Sequence, residues 1–114
     1  MKTKIIEVSG HKLDIVMPSV DEGFFIQGGL MSIAALTWQG KNTGPEQASL
    51  LRKMLVGAEV DGFPLNYDDF FFGKLELADM VFFSIVKELY PSFLGKISAM
   101  FQLKMAEKSV SAES

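Results

Sequence analysis

The chain has 114 residues, of which 48% are hydrophobic, with a formal net charge of −3 and no cysteine. The absence of cysteine excludes a disulfide framework and a thiolate metal site, and the lack of a basic excess argues against nucleic acid as a partner. The longest apolar stretch, 24–38, is shorter than a bilayer requires and contains Gln27 and Ser32, so no membrane span is expected. We therefore expect a single domain over 1–105, in a cytoplasmic, reducing compartment, with an apolar surface that favours association.

The first predicted element is a β-hairpin over 3–17. Two β-branched runs flank Gly10, which can adopt the positive φ of a tight turn, and Pro18 ends the second strand. His11 is the one histidine in the chain. Its position in the turn favours a solvated surface residue over a metal ligand or a general base.

A helical region is predicted to follow, over 18–105. Ser19 and Glu22 have the spacing of a capping box, so the first helix is expected to run over 20–37. Gly28 and Gly29 lie in its middle, where each glycine costs about 1 kcal/mol relative to alanine. They indicate either a break in the helix, which we favour, or the close approach of another backbone.

The second half of the chain is predicted to form further helices separated by clear turns. An amphipathic helix is expected over 46–59, and a turn at 60–64 leads to a short helix ending near Phe72. A long helix over 74–90 and a last helix over 91–104 follow, and the polar segment 106–114 is expected to be a disordered tail. The expected fold is α+β, mostly helical with about four to five helices, and carries an N-terminal β-hairpin.

The helix over 74–90 has more apolar residues than one buried face can hold. A broad face docks on the core and consists of Leu75, Ala78, Val81, Phe82, Ile85, Val86 and Leu89. Leu77, Met80 and Phe83 fall on the opposite side, among polar residues. The nearby phenylalanines are also too many to face one way, and we expect Phe71 and Phe83 to lie at an interface. Together these residues, Phe71, Leu77, Met80 and Phe83, predict a partner-binding surface.

Catalytic chemistry is not indicated by this sequence. Asp61, Asp68, Asp69 and Asp79 offer oxygen ligands for Mg²⁺ or Ca²⁺, but phenylalanines stand where an EF-hand loop needs ligands. Turn formation and helix capping account for these carboxylates. No phosphate-binding loop is present, and no serine has a separate histidine and acid, so we expect a protein that is not an enzyme and binds no cofactor or metal.

The order of short motifs resembles the tail assembly chaperones of long-tailed bacteriophages and their prophages. The motifs are the hairpin turn at 10–12 (GHK), then 17–21 (MPSVD), 60–65 (VDGFPL) and 72–79 (FGKLELAD), and the similarity covers roughly 4–95. The segment 70–72 is more aromatic than the family pattern. The resemblance implies a non-enzymatic cytoplasmic protein of the host cell that binds the tape measure protein and self-associates during tail assembly.

Two other functions fit the same residues. A structural subunit of a virion or another homo-oligomeric assembly would use the apolar helix in a permanent interface. A small enzyme with an apolar pocket would hold a ligand in the aromatic region. The three functions differ in their expected partners: a long helical protein, further copies of the chain, or a small molecule.

Overall fold

The computed structural model describes residues 2–99. Along the chain, pairs of short strands alternate with helices. The fold is α+β and mostly helical, with an N-terminal hairpin, as the sequence predicts. The predictions that concern Met100, Phe101 and Met105 and the tail 106–114 lie outside the described residues. In chain order the elements are β1 (Thr3–Val8), β2 (His11–Val16), α1 (Val20–Trp38), α2 (Gly44–Met54), β3 (Glu59–Val60), β4 (Phe63–Pro64), α3 (Tyr67–Phe71), α4 (Leu75–Leu89) and α5 (91–99).

The sheet is antiparallel, with the strand order β1-β2-β3-β4. Ser9 and Gly10 join β1 to β2 with φ values of 49° and 80°, which are the left-handed values that a two-residue hairpin turn requires. Asp61 and Gly62 join β3 to β4 in the same way, with φ values of 51° and 87°. The sequence predicts this second turn but not its two-residue strands, which depend on pairing with the distant β2.

The core lies between one face of the sheet and the helices. Leu13 and Ile15 of β2 point to this face and have no exposed surface, as do Val81 and Ile85 of α4. Their alternation with half-exposed or exposed neighbours along β2 is the period of two that a strand with one buried face shows. The central strand and α4 therefore form the middle of the core.

Helix α1 runs without interruption through its two glycines, so the prediction of a break is wrong. A Cβ atom on Gly29 would lie 2.8 Å from Cδ2 of Leu50 in α2, whereas a Cβ atom on Gly28 would have no heavy atom within 4 Å. The alternative, a close approach of another backbone, is not what the structure shows either, because the close contact at Gly29 is made by the side chain of Leu50. At the start of α1 the Ser19 hydroxyl accepts a hydrogen bond from the Glu22 amide at 3.2 Å, as the capping-box spacing predicts.

Helix α2 ends at Met54, five residues before the predicted end at 59. Gly57 has a φ of 74°, a left-handed value that turns the chain back toward β3. The predicted apolar face continues past this end. Its members are all buried: Leu50, Leu51, Met54, Leu55 and Ala58.

Helices α3 and α4 begin and end close to their predicted positions. The Asn66 side chain accepts a hydrogen bond from the Asp69 amide at 3.1 Å and so caps α3, and Gly73 separates α3 from α4 with a φ of 68°. One residue of the predicted buried face of α4 is misplaced: Leu75 is 78% exposed. It lies in the first turn, ahead of Ala78, which is the first residue of that face to pack on the core.

Candidate functional site

The outer side of α4 carries two exposed apolar residues out of the three that the sequence predicts there. Phe83 is 62% exposed and Met80 is 47% exposed, while Leu77 is half-buried against the core. The three residues are spaced three apart and therefore form a slanting row on the helix surface. We call this row the α4 surface. Met80 and Phe83 are its accessible part, and Leu77 forms its margin toward the sheet.

Contacts on both sides hold the α4 surface in place. The Ser9 hydroxyl at the hairpin turn donates a weak hydrogen bond to the Met80 sulfur at 3.6 Å. The Phe83 ring stands edge-on to Phe82, which is buried, with ring centroids 5.5 Å apart. Exposed Glu76 and Lys87 lie before and after the row along the helix, so a charge of each sign borders the apolar residues.

Phe71 does not belong to this surface, and its predicted position at an interface is wrong. It is only 9% exposed, because the short helix α3 turns Tyr67 and Phe71 toward the core. Their rings pack edge to face, with centroids 5.1 Å apart. The next residue, Phe72, caps the helix and is 84% exposed instead. The aromatic segment therefore does contribute to the surface, but through Phe72.

A second apolar surface, which the sequence analysis does not identify, lies between α1 and α2. Phe24 and Phe25 are 68% and 63% exposed, and the ammonium of Lys53 lies 4.1 Å from the centre of the Phe25 ring. The groove beside them has a volume of about 490 Å³. We call it the α1–α2 groove and define it by Phe24, Phe25, Gly28, Ser32, Glu46 and Lys53.

A deeper apolar pocket of about 530 Å³ lies on the other side of Phe25, against the ends of β2 and α4. Met17, Val56 and Tyr90 contribute to its wall. Burial raises the pKa of the Tyr90 hydroxyl, and the Glu22 carboxylate adds to the rise. Tyr90 is therefore a neutral phenol at physiological pH, which does not suit it to act as a general base.

His11 makes a structural contact that joins the two hairpin turns. Its Nδ1 lies 2.9 Å from a carboxylate oxygen of Asp61, and the other oxygen of Asp61 accepts a hydrogen bond from the Lys12 amide at 2.9 Å. Phe70 packs edge-on against the imidazole, with ring centroids 5.1 Å apart. The Lys12 hydrogen bond and then His11 lower the pKa of the Asp61 carboxyl below its usual value. These contacts join the two turns of the sheet, and His11 lies at the surface with 36% of its side chain exposed.

Three of the four aspartates that could hold a metal ion have side-chain carboxylates engaged by different partners, and the contact shown for the fourth, Asp69, is made by its backbone amide. Asp68 forms an ion pair with Arg52 at 2.7 Å, and Asp79 accepts a hydrogen bond from Gln47 at the same distance. Asp61 is held by His11 and Lys12, while Asp69 gives its amide to the α3 cap. Within residues 2–99 no group of three histidine, cysteine, aspartate or glutamate side chains is placed to bind a metal.

Comparison of the chain with protein-family models, with curated proteins and with solved structures found no match. In the part of the chain that the structure describes, no helix has the length and apolar character needed to cross a membrane. The surfaces of the folded domain and the resemblance of its motifs are therefore the basis for assigning a function.

Proposed function

We propose that this chain is a non-enzymatic assembly chaperone of the phage-tail kind, which binds a long helical tape measure protein and self-associates along it. The motif resemblance supplies the family. The structural observation that carries the proposal is the exposure of Met80 and Phe83 on the outer side of a helix whose inner side is core.

The α4 surface has the chemistry that a helical partner needs. A partner helix presents an apolar ridge of residues three and four apart, and it docks on a row of exposed apolar side chains. Methionine adapts its shape to varied ridges and phenylalanine supplies a large rigid contact, so Met80 and Phe83 suit a long partner whose sequence changes along its length. The charged neighbours Glu76 and Lys87 keep the free surface soluble.

The amount of exposed apolar surface also supports a binding role. Five phenylalanines within residues 2–99 are more than half exposed, which is unusual for a domain that stays alone in solution. They are spread over α1, β4, the α3–α4 turn and α4: Phe24, Phe25, Phe63, Phe72 and Phe83. Several copies that cover a long partner would bury more of this surface than one copy alone.

The test is co-expression of the chain with a tape-measure-type protein, followed by size-exclusion chromatography with light scattering. The wild-type chain is expected to co-purify in many copies per partner molecule. Met80→Glu with Phe83→Glu is expected to remove the partner while circular dichroism shows a folded chain, since both side chains lie outside the core. The matched control is Val56→Glu with Phe63→Glu, which places two glutamates at sites that are 72% and 73% exposed on other parts of the surface.

Each outcome of this experiment is informative. A folded double variant that still binds refutes the α4 surface, and an unfolded one shows that these side chains support the core. A closed oligomer that ignores the partner favours the structural subunit of a virion or another assembly. A small molecule that co-purifies in the pocket beside Tyr90 would favour the enzyme.

A further inference from the structure

We infer that the α1–α2 groove is a homodimer interface, in which a second copy of this chain docks with its α1 antiparallel to the first. The inference rests on one part of the proposed function, the expectation that the chain self-associates. It uses a surface separate from Met80 and Phe83, so the two can fail independently.

The groove combines exposed aromatic side chains with a floor that has few side chains. Phe24 stands 68% exposed at one end, and Gly28 in the middle leaves open space above the backbone. Ser32 is small and exposed at the other end. These three residues are spaced four apart and therefore lie in one row along α1, about 12 Å from end to end.

The row is complementary to itself when it is turned end to end. A twofold axis at Gly28 places each Phe24 opposite Ser32 of the second copy, so that a large ring meets a small side chain at both ends. Gly28 then faces Gly28 at the centre, where the two helices can approach closely. Exchange of the two copies leaves this pattern unchanged, which is the requirement for a closed dimer.

The charges on α2 fit the same arrangement. Leu50 lies against Gly29 and Lys53 lies over Phe25, so α2 runs antiparallel to α1 and Glu46 lies at the Ser32 end of the groove. The twofold axis exchanges the two ends. It therefore brings Lys53 of each copy beside Glu46 of the other, which gives two opposite-charge contacts at the rim of the interface.

The four helices of the two copies would then form an antiparallel bundle built from two helical hairpins. Phe24 and Phe25 would be its aromatic anchors, because exposed aromatic rings contribute most where they become fully desolvated. Neither ring belongs to the buried core of the single chain. Their substitution can therefore separate association from folding.

The first experiment measures mass by sedimentation velocity over a concentration series. The wild-type chain is expected to approach about 25 kDa, twice the 12.6 kDa of one chain. Phe24→Glu is expected to weaken the dimer at least about 100-fold, because it replaces the Phe24 anchor of each copy by a charge, at both ends of the interface. Phe63→Glu, at a phenylalanine of β4 that is 73% exposed and belongs to neither surface, is the control and is expected to leave the dimer intact. A monomeric wild-type chain, or a dimer that survives Phe24→Glu, overturns the inference.

Charge exchange tests the orientation. Lys53→Glu and Glu46→Lys are each expected to weaken the dimer about tenfold, because each creates two like-charge contacts. The double variant Lys53→Glu with Glu46→Lys restores opposite charges across the axis and is expected to recover most of the affinity. A double variant no stronger than the single ones overturns the antiparallel arrangement.

The lack of cysteine in the chain allows a direct test of the axis. Gly28→Cys places two thiols at the predicted crossing point and is expected to give a disulfide-linked dimer on mild oxidation. Lys87→Cys, on α4, is the matched control, and it is expected to remain a monomer with a free thiol. Equal cross-linking of both variants refutes the position of the axis.

The variants also separate this inference from the proposed function. A monomeric wild-type chain that still binds a helical partner through α4 refutes the dimer and leaves partner binding, the main part of the chaperone proposal, standing. A Phe24-dependent dimer that binds no such partner does the reverse.

Discussion

The two adjacent glycines of α1 allow the packing of α1 on α2 to be tested by a matched pair of substitutions. Replacement of either by alanine removes the same backbone freedom from the unfolded chain and is worth up to about 1 kcal/mol in a helix. A Cβ atom on Gly28 has no heavy atom within 4 Å. Gly28→Ala is therefore expected to raise the free energy of unfolding by about 0.5–1 kcal/mol.

Gly29→Ala meets a different environment. Its new Cβ would lie 2.8 Å from Cδ2 and 3.1 Å from Cδ1 of Leu50, and Leu50 is only 6% exposed. The leucine has to move against packed neighbours, and overpacking of this kind costs about 1–3 kcal/mol. The gain in helix propensity offsets part of that cost. We expect Gly29→Ala to be less stable than Gly28→Ala by about 1–3 kcal/mol.

The assay is urea unfolding followed by circular dichroism. Both variants are made in a Phe24→Glu background, so that self-association does not contribute to the measured stability. Leu50→Ala provides the internal check, because it removes the atoms that the new Cβ would meet, and the difference between the glycine variants is then expected to vanish. Equal stabilisation by both alanines with Leu50 intact would refute the close packing of α1 on α2.

Two further predictions concern α4 and the contact between the hairpin turns. Ile85→Ala, at a fully buried site, is expected to lower the free energy of unfolding by about 2–5 kcal/mol, whereas Phe83→Ala is expected to change it by less than about 0.5 kcal/mol. Chemical denaturation measures both, and equal losses would contradict the assigned faces. Asp61→Asn is expected to lower the melting temperature at neutral pH. The hydrogen bonds from Lys12 and His11 lower the pKa of the Asp61 carboxyl below 3.8, so their stabilisation is present above that pH and lost as the pH falls through the lowered value. The difference from wild type should therefore shrink in acid, and a difference independent of pH would contradict it.

Features with a local cause could be predicted from the sequence. Gly10 sets the hairpin turn, Ser19 and Asn66 cap their helices, and Gly73 separates α3 from α4. Each depends on neighbours within a few residues, which the sequence displays directly. The amphipathic pattern of α2 also identified a face whose residues are all buried.

Features that depend on distant parts of the chain could not be predicted in this way. The two-residue strand β3 exists because Val60 pairs with Leu13, far earlier in the chain. The close packing at Gly29 involves Leu50 of another helix, which the sequence around Gly29 does not show. Phe71 is buried because α3 turns that side toward the core, and the run of three phenylalanines gives no period that shows which ring points inward.

The candidate surfaces also divide into one that the local sequence predicts and one that depends on distant parts of the chain. Met80 and Phe83 stand out because the rest of α4 has a clear buried face, so apolar residues on its other side are conspicuous. Phe24 and Phe25 do not stand out, because α1 is apolar on nearly all sides and its periodicity identifies no outer face. Only the position of α2 shows which side of α1 remains exposed.

The connection from β2 to β3 is a helical hairpin whose length is independent of the sheet. Both α1 and α2 lie within it, and the pairs Leu13 with Val60 and Asp14 with Glu59 hold its two ends together at the sheet. The loop at 39–43 lies at the far end, about 28 Å along α1 from the helix start. Insertion of whole helical turns on both sides of that loop would change no strand pair and no contact of α4. The reach of the helical hairpin can therefore vary while the rest of the domain stays the same.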